Sequence, residues 1–217
     1  MGRCTVPKQV RAEVTRASIL RGAAEVFDRY GYAATTLSDV IAQSGVTKGA
    51  LYFHFSSKED LARAVVEEQH MLSVQPSRDW LQHEGQGLES IIKLSIGLAT
   101  QLLDDVVVRA GIRLTLEQGT FGVLQTDPYR EWVGVIEQLL DRAVEEGDVR
   151  TSMETAALAR FVVGAFTGVQ LLSEVFTGRD DLLRRVQDMW EILLPSLVTP
   201  RKLPHFRRIA SLAESNG

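Results

Sequence analysis

The stretch TTLSDVIAQSGVTKGALYFHFSSKEDL, residues 35–61, decides the fold of this chain. Thr36 precedes apolar residues at helical spacing, and Asp39 stands where a carboxylate completes a capping box, so we expect a helix to begin here. Gly45 ends that helix, because glycine adopts a left-handed conformation at little cost. Thr47 then caps a second, short helix. Two helices joined by a glycine turn predict a helix-turn-helix, whose second helix enters the major groove of DNA.

A third helix follows the motif at once, and two registers are open for its first residue. Ser56 with Glu59 has the spacing of a capping box, and Ser57 with Asp60 has the same spacing one residue later. Either register gives a capped helix that starts close to the short second one.

The side chains of the second helix indicate what this motif does. Leu51, Phe53 and Phe55 are apolar and are predicted to lie inside the domain. Gly49 and Ala50 are small, so the helix can approach phosphates or base edges closely. An isolated amphipathic helix of this length is usually ordinary surface, but the capped helices on both sides favour DNA binding. The side chains with polar tips are Lys48, Tyr52 and His54.

Composition and charge agree with a DNA-binding protein that carries a larger second domain. The net charge is −4, but residues 1–63 hold nine basic and six acidic residues, a net +3 that leaves −7 for the remainder. Positive charge therefore collects at the end that holds the motif. Apolar residues make up 45% of the chain and no strand-like alternation occurs, so we predict an all-α protein.

Other functional classes find little support in the sequence. The single Cys4 allows no internal disulfide, and we expect a cytoplasmic protein with neither a signal peptide nor a membrane-spanning segment. No nucleophile motif and no Gly-rich phosphate loop occur. We therefore expect no enzymatic activity, no metal and no cofactor. The four histidines form no metal-ligand pattern: His54, His70, His83 and His205.

The chain is predicted to divide into residues 1–56, a DNA-binding domain, and residues 57–217, a ligand-binding and dimerisation domain. A loose tail, Met1–Pro7, precedes a first helix that Gly31 closes. A connecting helix leads into a linker, Ser73–Gly87, which contains Pro76, Trp80, His83 and glycines and leaves room for a short helical turn. The predicted helices outside the motif are Gln9–Tyr30, Ser57–Leu72, Leu88–Leu103, Val106–Glu117, Asp127–Gly147, Glu154–Phe176, Leu182–Leu197 and Lys202–Ala213.

The helix Glu154–Phe176 is apolar on nearly every side, so more than one neighbour must bury it. Gly164 and Gly168 lie four residues apart and let another helix approach closely. We expect a homodimer in which this helix and Leu182–Leu197 form a four-helix contact across a two-fold axis. Such a dimer matches a pseudo-palindromic operator.

Trp132, Thr167 and Gln69 are candidates for an effector site, since apolar pockets with a few polar groups bind small molecules. Each has a plainer interpretation: Trp132 as a core residue, Thr167 as a hydroxyl bonded back to its own helix, and Gln69 as an exposed side chain.

Three segments resemble the DNA-binding domain of the TetR family of repressors, in order and without insertion. They are TTLSDVIAQSGV (35–46), TKGALYFHF (47–55) and SSKEDL (56–61). The resemblance implies that the second helix faces DNA and that the starts of the flanking helices touch phosphate. The residues it assigns are Thr47, Lys48, Gly49, Tyr52 and His54 for the first role, and Ser38 and Lys58 for the second.

Four more segments resemble the γ-butyrolactone receptor branch of that family: EEQH (67–70), VVRAGIRL (107–114), DPYREWVGVIEQLLDRA (127–143) and GAFTGVQLL (164–172). This resemblance implies a repressor that a butyrolactone- or butenolide-like signal releases from a pseudo-palindromic operator. It also implies that Trp132 stacks on the signal, with Thr167 and Gln69 as hydrogen-bonding partners. The alternative is a regulator that responds to an antibiotic or another drug, as pseudo-receptors and efflux regulators do.

Overall fold

The computed structural model describes residues 8–82, 87–117 and 128–211, and within these ranges it contains α-helices and no β-strand. The all-α prediction is therefore confirmed. Some predictions concern residues outside these ranges. They are the loose tail Met1–Pro7 with Cys4, His83, Asp127 and the end of the last predicted helix. The helices are α1 Lys8–Ala34, α2 Leu37–Ser44, α3 Lys48–His54, α4 Lys58–Gln82, α5 Gly87–Asp104, α6 Val106–Leu116, α7 Pro128–Glu145, α8 Thr155–Thr177, α9 Leu182–Leu197 and α10 Leu203–Ala210.

The chain forms two compact units, and the division falls inside α4. The first unit contains the described parts of Met1–Leu72 and Asp105–Thr126, and the second those of Ser73–Asp104 and Asp127–Gly217. Packing thus places α6 in the same unit as the helix-turn-helix. The functional division after residue 56 remains a prediction.

The first unit has one core, formed by the apolar faces of α1, α2, α3, α6 and the start of α4. α1 crosses α2 at very short range, because a Cβ atom on Gly22 would lie 2.7 Å from the Cβ of Ser44. Glycine at this crossing lets the two backbones meet, which sets the position of α2 on α1. The largest fully buried side chains of this core are Ile19, Phe27, Leu51, Leu61 and Leu114.

Helix α4 is longer than the sequence predicts. The segment Ser73–Gly87 was expected to be a linker with at most a short helical turn, because it holds Pro76 and glycines, but the helix continues to Gln82. The linker prediction is therefore wrong over most of its length. The hydroxyl of Ser73 donates to the Gln101 side-chain oxygen at 3.0 Å, a tertiary contact that fastens this part of α4 to α5.

The second unit is built from the end of α4, from α5 and from α7–α10. Helix α5 packs against α7, α9 and α10, while α8 packs against α7 and α9. Trp190 on α9 is completely buried, and its indole N–H donates to the hydroxyl of Ser95 on α5 at 2.8 Å. A buried indole needs such an acceptor, so this bond helps to fix α9 on α5.

Helix α8 leaves a wide apolar surface uncovered. Phe161 is 55% exposed, Leu172 49% and Val175 73%. Gly164 and Gly168 lie on the same face, and a Cβ at either would meet no atom within 4 Å. By length and composition, α8 also qualifies as a helix that could cross a bilayer, contrary to our expectation of no such segment, and only 22% of its most apolar window is buried within the chain.

Candidate functional site

The first helix of the motif begins with the predicted capping box. The side chain of Thr36 accepts the backbone N–H of Asp39 at 3.2 Å, and the Asp39 carboxylate accepts the backbone N–H of Thr36 at 2.9 Å. Hydrogen bonds from the Thr36 side chain and backbone hold the pKa of Asp39 below its usual value. These reciprocal bonds satisfy amides that a helix start would otherwise leave without partners.

The turn and the start of α3 also follow the prediction. Gly45 is left-handed, with φ 67°, and its N–H donates to the carbonyl of Ile41. Val46 packs against the core. The Thr47 side chain accepts the N–H of Ala50 at 3.2 Å, so Thr47 is the cap of the second helix.

Helix α3 presents one continuous outward face. Leu51 is completely buried and anchors the opposite face, which leaves Lys48, Gly49 and Tyr52 exposed. The Lys48 ammonium lies 5.9 Å from the centre of the Tyr52 ring, so both polar ends point the same way. A Cβ on Gly49 would meet no atom within 4 Å, which shows that open space lies in front of the helix at this position.

Phe53 was predicted to lie inside, and that prediction is wrong: its side chain is 79% exposed. The buried residues of this segment are Leu51 and Phe55, four positions apart, and a residue midway between them must point away from the core. The helical spacing from Leu51 was the signal that would have placed Phe53 outside. His54, by contrast, is half-buried, with its ring 5.0 Å from that of Phe53 and 6.4 Å from that of Phe55.

The two predicted phosphate-contacting residues differ in their surroundings. Ser38 is exposed in the first turn of α2. Lys58 is partly buried, and its ammonium donates to the carbonyls of Tyr32 and Thr35, each at 2.9 Å. The Lys58 side chain therefore joins the start of α4 to the end of α1. Of the two registers proposed for α4, the structure adopts the later one, since Ser57 accepts the N–H of Asp60.

Tyr32 lies at the same junction. Its ring is 4.3 Å from the Lys58 ammonium, and its phenol is hydrogen-bonded to Glu59. Burial, followed by the bond to Glu59 and its charge, raises the pKa of Tyr32 to about 12. The phenol is therefore neutral at any physiological pH, and its hydrogen bond to Glu59 connects α1 to α4.

A further set of contacts, which no sequence pattern indicated, fastens α6 to a break in α1. Gly31 has φ 74° and ψ 176°, so the helical pairing between the Tyr32 N–H and the Asp28 carbonyl cannot form. Helix α6 satisfies both groups. Glu117 accepts the Tyr32 N–H at 2.8 Å, and Arg113 donates to the Asp28 carbonyl at 2.5 Å.

Charged pairs complete this α1–α6 brace, which consists of Asp28, Gly31 and Tyr32 with Arg109, Arg113 and Glu117. Arg113 pairs with Glu117 at 2.8 Å, and Arg109 with Asp28 at 2.9 Å. The φ of Gly31 favours glycine, and a Cβ here would lie 2.7 Å from a Glu117 carboxylate oxygen, so a larger residue would also displace the Glu117 side chain.

The candidate effector residues occur in both units. In the second unit, Trp132 on α7 is half-buried, and Tyr129, one turn before it, is hydrogen-bonded to Thr167 on α8. Burial raises the pKa of Tyr129 more than that bond lowers it. The Thr167 hydroxyl donates to the carbonyl of Val163 at 2.8 Å, so the back-bonding expected of a helix threonine is present.

Gln69 belongs to the first unit, where it is 2% exposed. Its side chain packs directly against Gly111 of α6, where an added Cβ would lie only 2.3 Å from the Gln69 Cβ. The alternative of an exposed glutamine is therefore excluded. Tyr129 was not among the predicted site residues, although it stands three positions before Trp132 in the sequence.

Family comparisons match both parts of the chain. Residues 19–65 match the model of bacterial regulatory proteins of the tetR family, and residues 85–199 match the tetracyclin repressor-like C-terminal domain. The second match alone covers more than half of the chain. The chain belongs to the tetR family. The first match spans the helix-turn-helix and the buried residues of α1. It confirms the family resemblance that segments 35–61 indicated.

Individual relatives in the tetR family extend the comparison to nearly the full length. The A-factor receptor protein of Streptomyces griseus is 37% identical over 200 residues, which cover 92% of this chain and 70% of that protein. The crystal structure of a γ-butyrolactone receptor described as ArpA-like is 34% identical, with a TM-score of 0.81 over 96% of this chain and all of that one. The structure of CprB from Streptomyces coelicolor with its biological operator sequence is 36% identical, with a TM-score of 0.82 over 95% of this chain and all of that one.

Proposed function

We propose that this tetR-family protein is a repressor that binds a pseudo-palindromic operator as a homodimer and is released by a small γ-butyrolactone- or butenolide-like signal. The observation that carries the proposal is the outward face of α3. A capped helix with no acidic residue presents Lys48, Gly49 and Tyr52 to solvent, at the position where a helix-turn-helix enters the major groove. As a DNA-binding regulator, the protein acts in the cytoplasm.

The DNA contacts divide by chemistry. The hydroxyl protons of Ser38, Thr47 and Tyr52 and the ammonium of Lys48 are donors that suit phosphate oxygens. Gly49 allows the helix to approach the groove without steric hindrance. His54 contributes from the margin of the face, because it is half-buried between two phenylalanine rings. Lys58 acts indirectly, since its ammonium donates to the carbonyls of Tyr32 and Thr35 and fixes the start of α4.

The dimer is proposed to form through α8 and α9. The exposed apolar side chains of α8 lie on one face together with Gly164 and Gly168, and Ile192 on α9 is 77% exposed. A soluble monomer rarely leaves such a surface in water, whereas a second copy of the same helices would cover it. This partner also accounts for a helix that is apolar enough to resemble a membrane span.

In the second unit, the effector is proposed to contact Trp132 and Thr167. A half-buried indole offers a flat apolar surface for a lactone ring, and the neighbouring pair Tyr129–Thr167 supplies polar groups. The similar ArpA-like protein is named a γ-butyrolactone receptor, which supports a butyrolactone-type molecule. Release requires the effector to bind the DNA-free state more tightly, and a coupling of roughly 1–3 kcal/mol changes operator affinity by about 5–150-fold.

The DNA-binding proposal is tested by fluorescence anisotropy with an operator selected from random duplexes. Lys48→Ala should weaken binding by roughly ten- to hundred-fold and reduce the salt slope by about two, one phosphate contact per protomer. Arg208→Ala removes the same charge from exposed α10 and serves as the matched control. Equal effects of the two substitutions would place the DNA contact elsewhere.

The effector proposal is tested by release of that operator. Synthetic γ-butyrolactones and butenolides are titrated into the complex, with antibiotics as a separate arm. Wild-type protein should dissociate with a lactone-type compound, whereas Trp132→Ala should keep DNA affinity but no longer respond. Release by antibiotics alone would favour the drug-responsive alternative. Undiminished release of the Trp132→Ala variant would remove this indole from the site.

A further inference from the structure

Among the residues that the structure describes, none packs against the position of a Cβ on Gly49. Gly49 is the second residue of α3, inside the first helical turn, where glycine loses more backbone entropy on folding than alanine would. Its φ is not positive, and a Cβ at this position would meet no atom within 4 Å. Alanine would therefore fit the described part of the chain at least as well, which favours a partner approaching α3 from outside as the reason for the missing side chain.

Two aromatic rings flank that gap. Tyr52 and Phe53 follow Gly49 by three and four residues, so they stand one turn further along the helix, on either side of it. Tyr52 shares its side with the Lys48 ammonium, 5.9 Å from the ring. Phe53, on the other side, is 79% exposed. The outward face thus has a polar half and an apolar half, divided by a notch.

The Phe53 ring is supported rather than loose. The His54 ring meets it edge to face, with the ring centres 5.0 Å apart and the planes at 86°. His54 is itself half-buried beside Phe55, which is 3% exposed and belongs to the core. The exposed Phe53 ring is therefore positioned by His54, which in turn contacts the core residue Phe55.

From these observations we propose that Phe53 determines operator specificity by packing against the C5-methyl group of a thymine in the major groove. The inference rests on the proposed DNA-binding function. Phe53 has no charge and no hydrogen-bonding group, so it gains nothing from a phosphate. The thymine methyl is the apolar group that base pairs present in the major groove, and phenylalanine is suited to contact it. Lys48 and Tyr52, across the notch, contact the phosphate side.

The test compares operators in which single thymines are replaced by deoxyuridine, which removes the methyl group and keeps base pairing. For the wild-type protein, replacing the thymine at one position of a half-site should weaken operator binding about four-fold. This is the effect expected when one buried methyl group is lost. Phe53→Ala should bind the thymine operator more weakly and should no longer distinguish thymine from deoxyuridine. Phe53→Leu, which keeps an apolar contact, should retain part of the discrimination.

The matched control is Tyr52→Ala, on the polar side of the notch. It should weaken binding to thymine and deoxyuridine operators by the same factor, leaving discrimination intact. Because Phe53 is exposed, its truncation spares the core, and unchanged thermal unfolding verifies this. The proposal is overturned if wild-type protein binds every deoxyuridine operator as tightly as the parent, or if Phe53→Ala retains the full discrimination. Failure of the wild-type protein to bind the parent operator, in which no thymine is replaced, would instead refute the DNA-binding function itself.

Discussion

Replacement of Glu117 by alanine tests whether α6 compensates for the broken hydrogen bond in α1. Glu117 accepts the backbone N–H of Tyr32 at 2.8 Å and pairs with Arg113 at 2.8 Å. Tyr32 is 7% exposed, so its amide cannot easily find water instead. The substitution removes an acceptor from a buried donor and breaks one ion pair.

The expected loss of stability is dominated by the amide. A buried donor that loses its acceptor costs about 1–3 kcal/mol. The ion pair adds little, because Arg113 and Glu117 are 39% and 31% exposed and solvent screens such pairs to below about 1 kcal/mol. We therefore expect Glu117→Ala to lower the free energy of unfolding by about 2 kcal/mol, or roughly 4–8 °C in melting temperature.

Chemical and thermal denaturation, followed by circular dichroism, measure this loss. Glu117→Gln should lose less, because the amide oxygen still accepts the Tyr32 N–H. Glu145→Ala is the matched control, since Glu145 is exposed at the end of α7 and its replacement should change stability by less than about 0.5 kcal/mol. A Glu117→Ala variant as stable as Glu145→Ala would refute the brace.

Four further substitutions test the fold and the assembly. Thr36→Ala removes the cap of α2 and should cost about 1 kcal/mol in the free energy of unfolding, measured by urea denaturation. Gly22→Ala places a Cβ 2.7 Å from that of Ser44 and should cost about 1–3 kcal/mol by the same measurement, since α1 and α2 must move apart. Bonds from the hydroxyl-bearing residues of α8, chiefly Ser173, lower the pKa of Asp181 from 3.8 to about 2, so its stabilising effect is complete above pH 4 and is lost as the pH falls towards 2. Denaturation across that range should show Asp181→Asn less stable than wild type at neutral pH, with the difference shrinking below pH 4. Val175→Lys puts a charge on the exposed face of α8 and should yield monomers by analytical ultracentrifugation; an intact dimer would place the interface elsewhere.

The parts of the site that the sequence predicted depend on local interactions. The capping box of Thr36 and Asp39, the left-handed Gly45 and the cap at Thr47 each involve residues within four positions of one another, and each occurs as expected. Ser57 capped α4 in one of the two registers left open. Short-range rules of this kind need no knowledge of the tertiary fold.

The features that sequence analysis missed depend on packing over long distances in the chain. The α1–α6 brace joins Asp28 to Arg113, 85 residues apart, and no local pattern marks either residue as a partner of the other. Phe53 was placed inside because it is apolar, although the helical spacing from Leu51 directs it outward. The linker prediction for Ser73–Gly87 gave too much weight to Pro76, whereas α4 continues to Gln82 with Ser73 fastened to α5.

The central claim is that two copies of the chain place their α3 helices on one inverted-repeat duplex. Light scattering coupled to size-exclusion chromatography, with a selected inverted repeat and a shuffled duplex of equal length, tests it most directly. We expect a dimer in the absence of DNA, a complex with at least one dimer per inverted repeat, and binding to the shuffled duplex weaker by about 10³-fold or more. A monomeric protein, or equal binding to both duplexes, would contradict the claim.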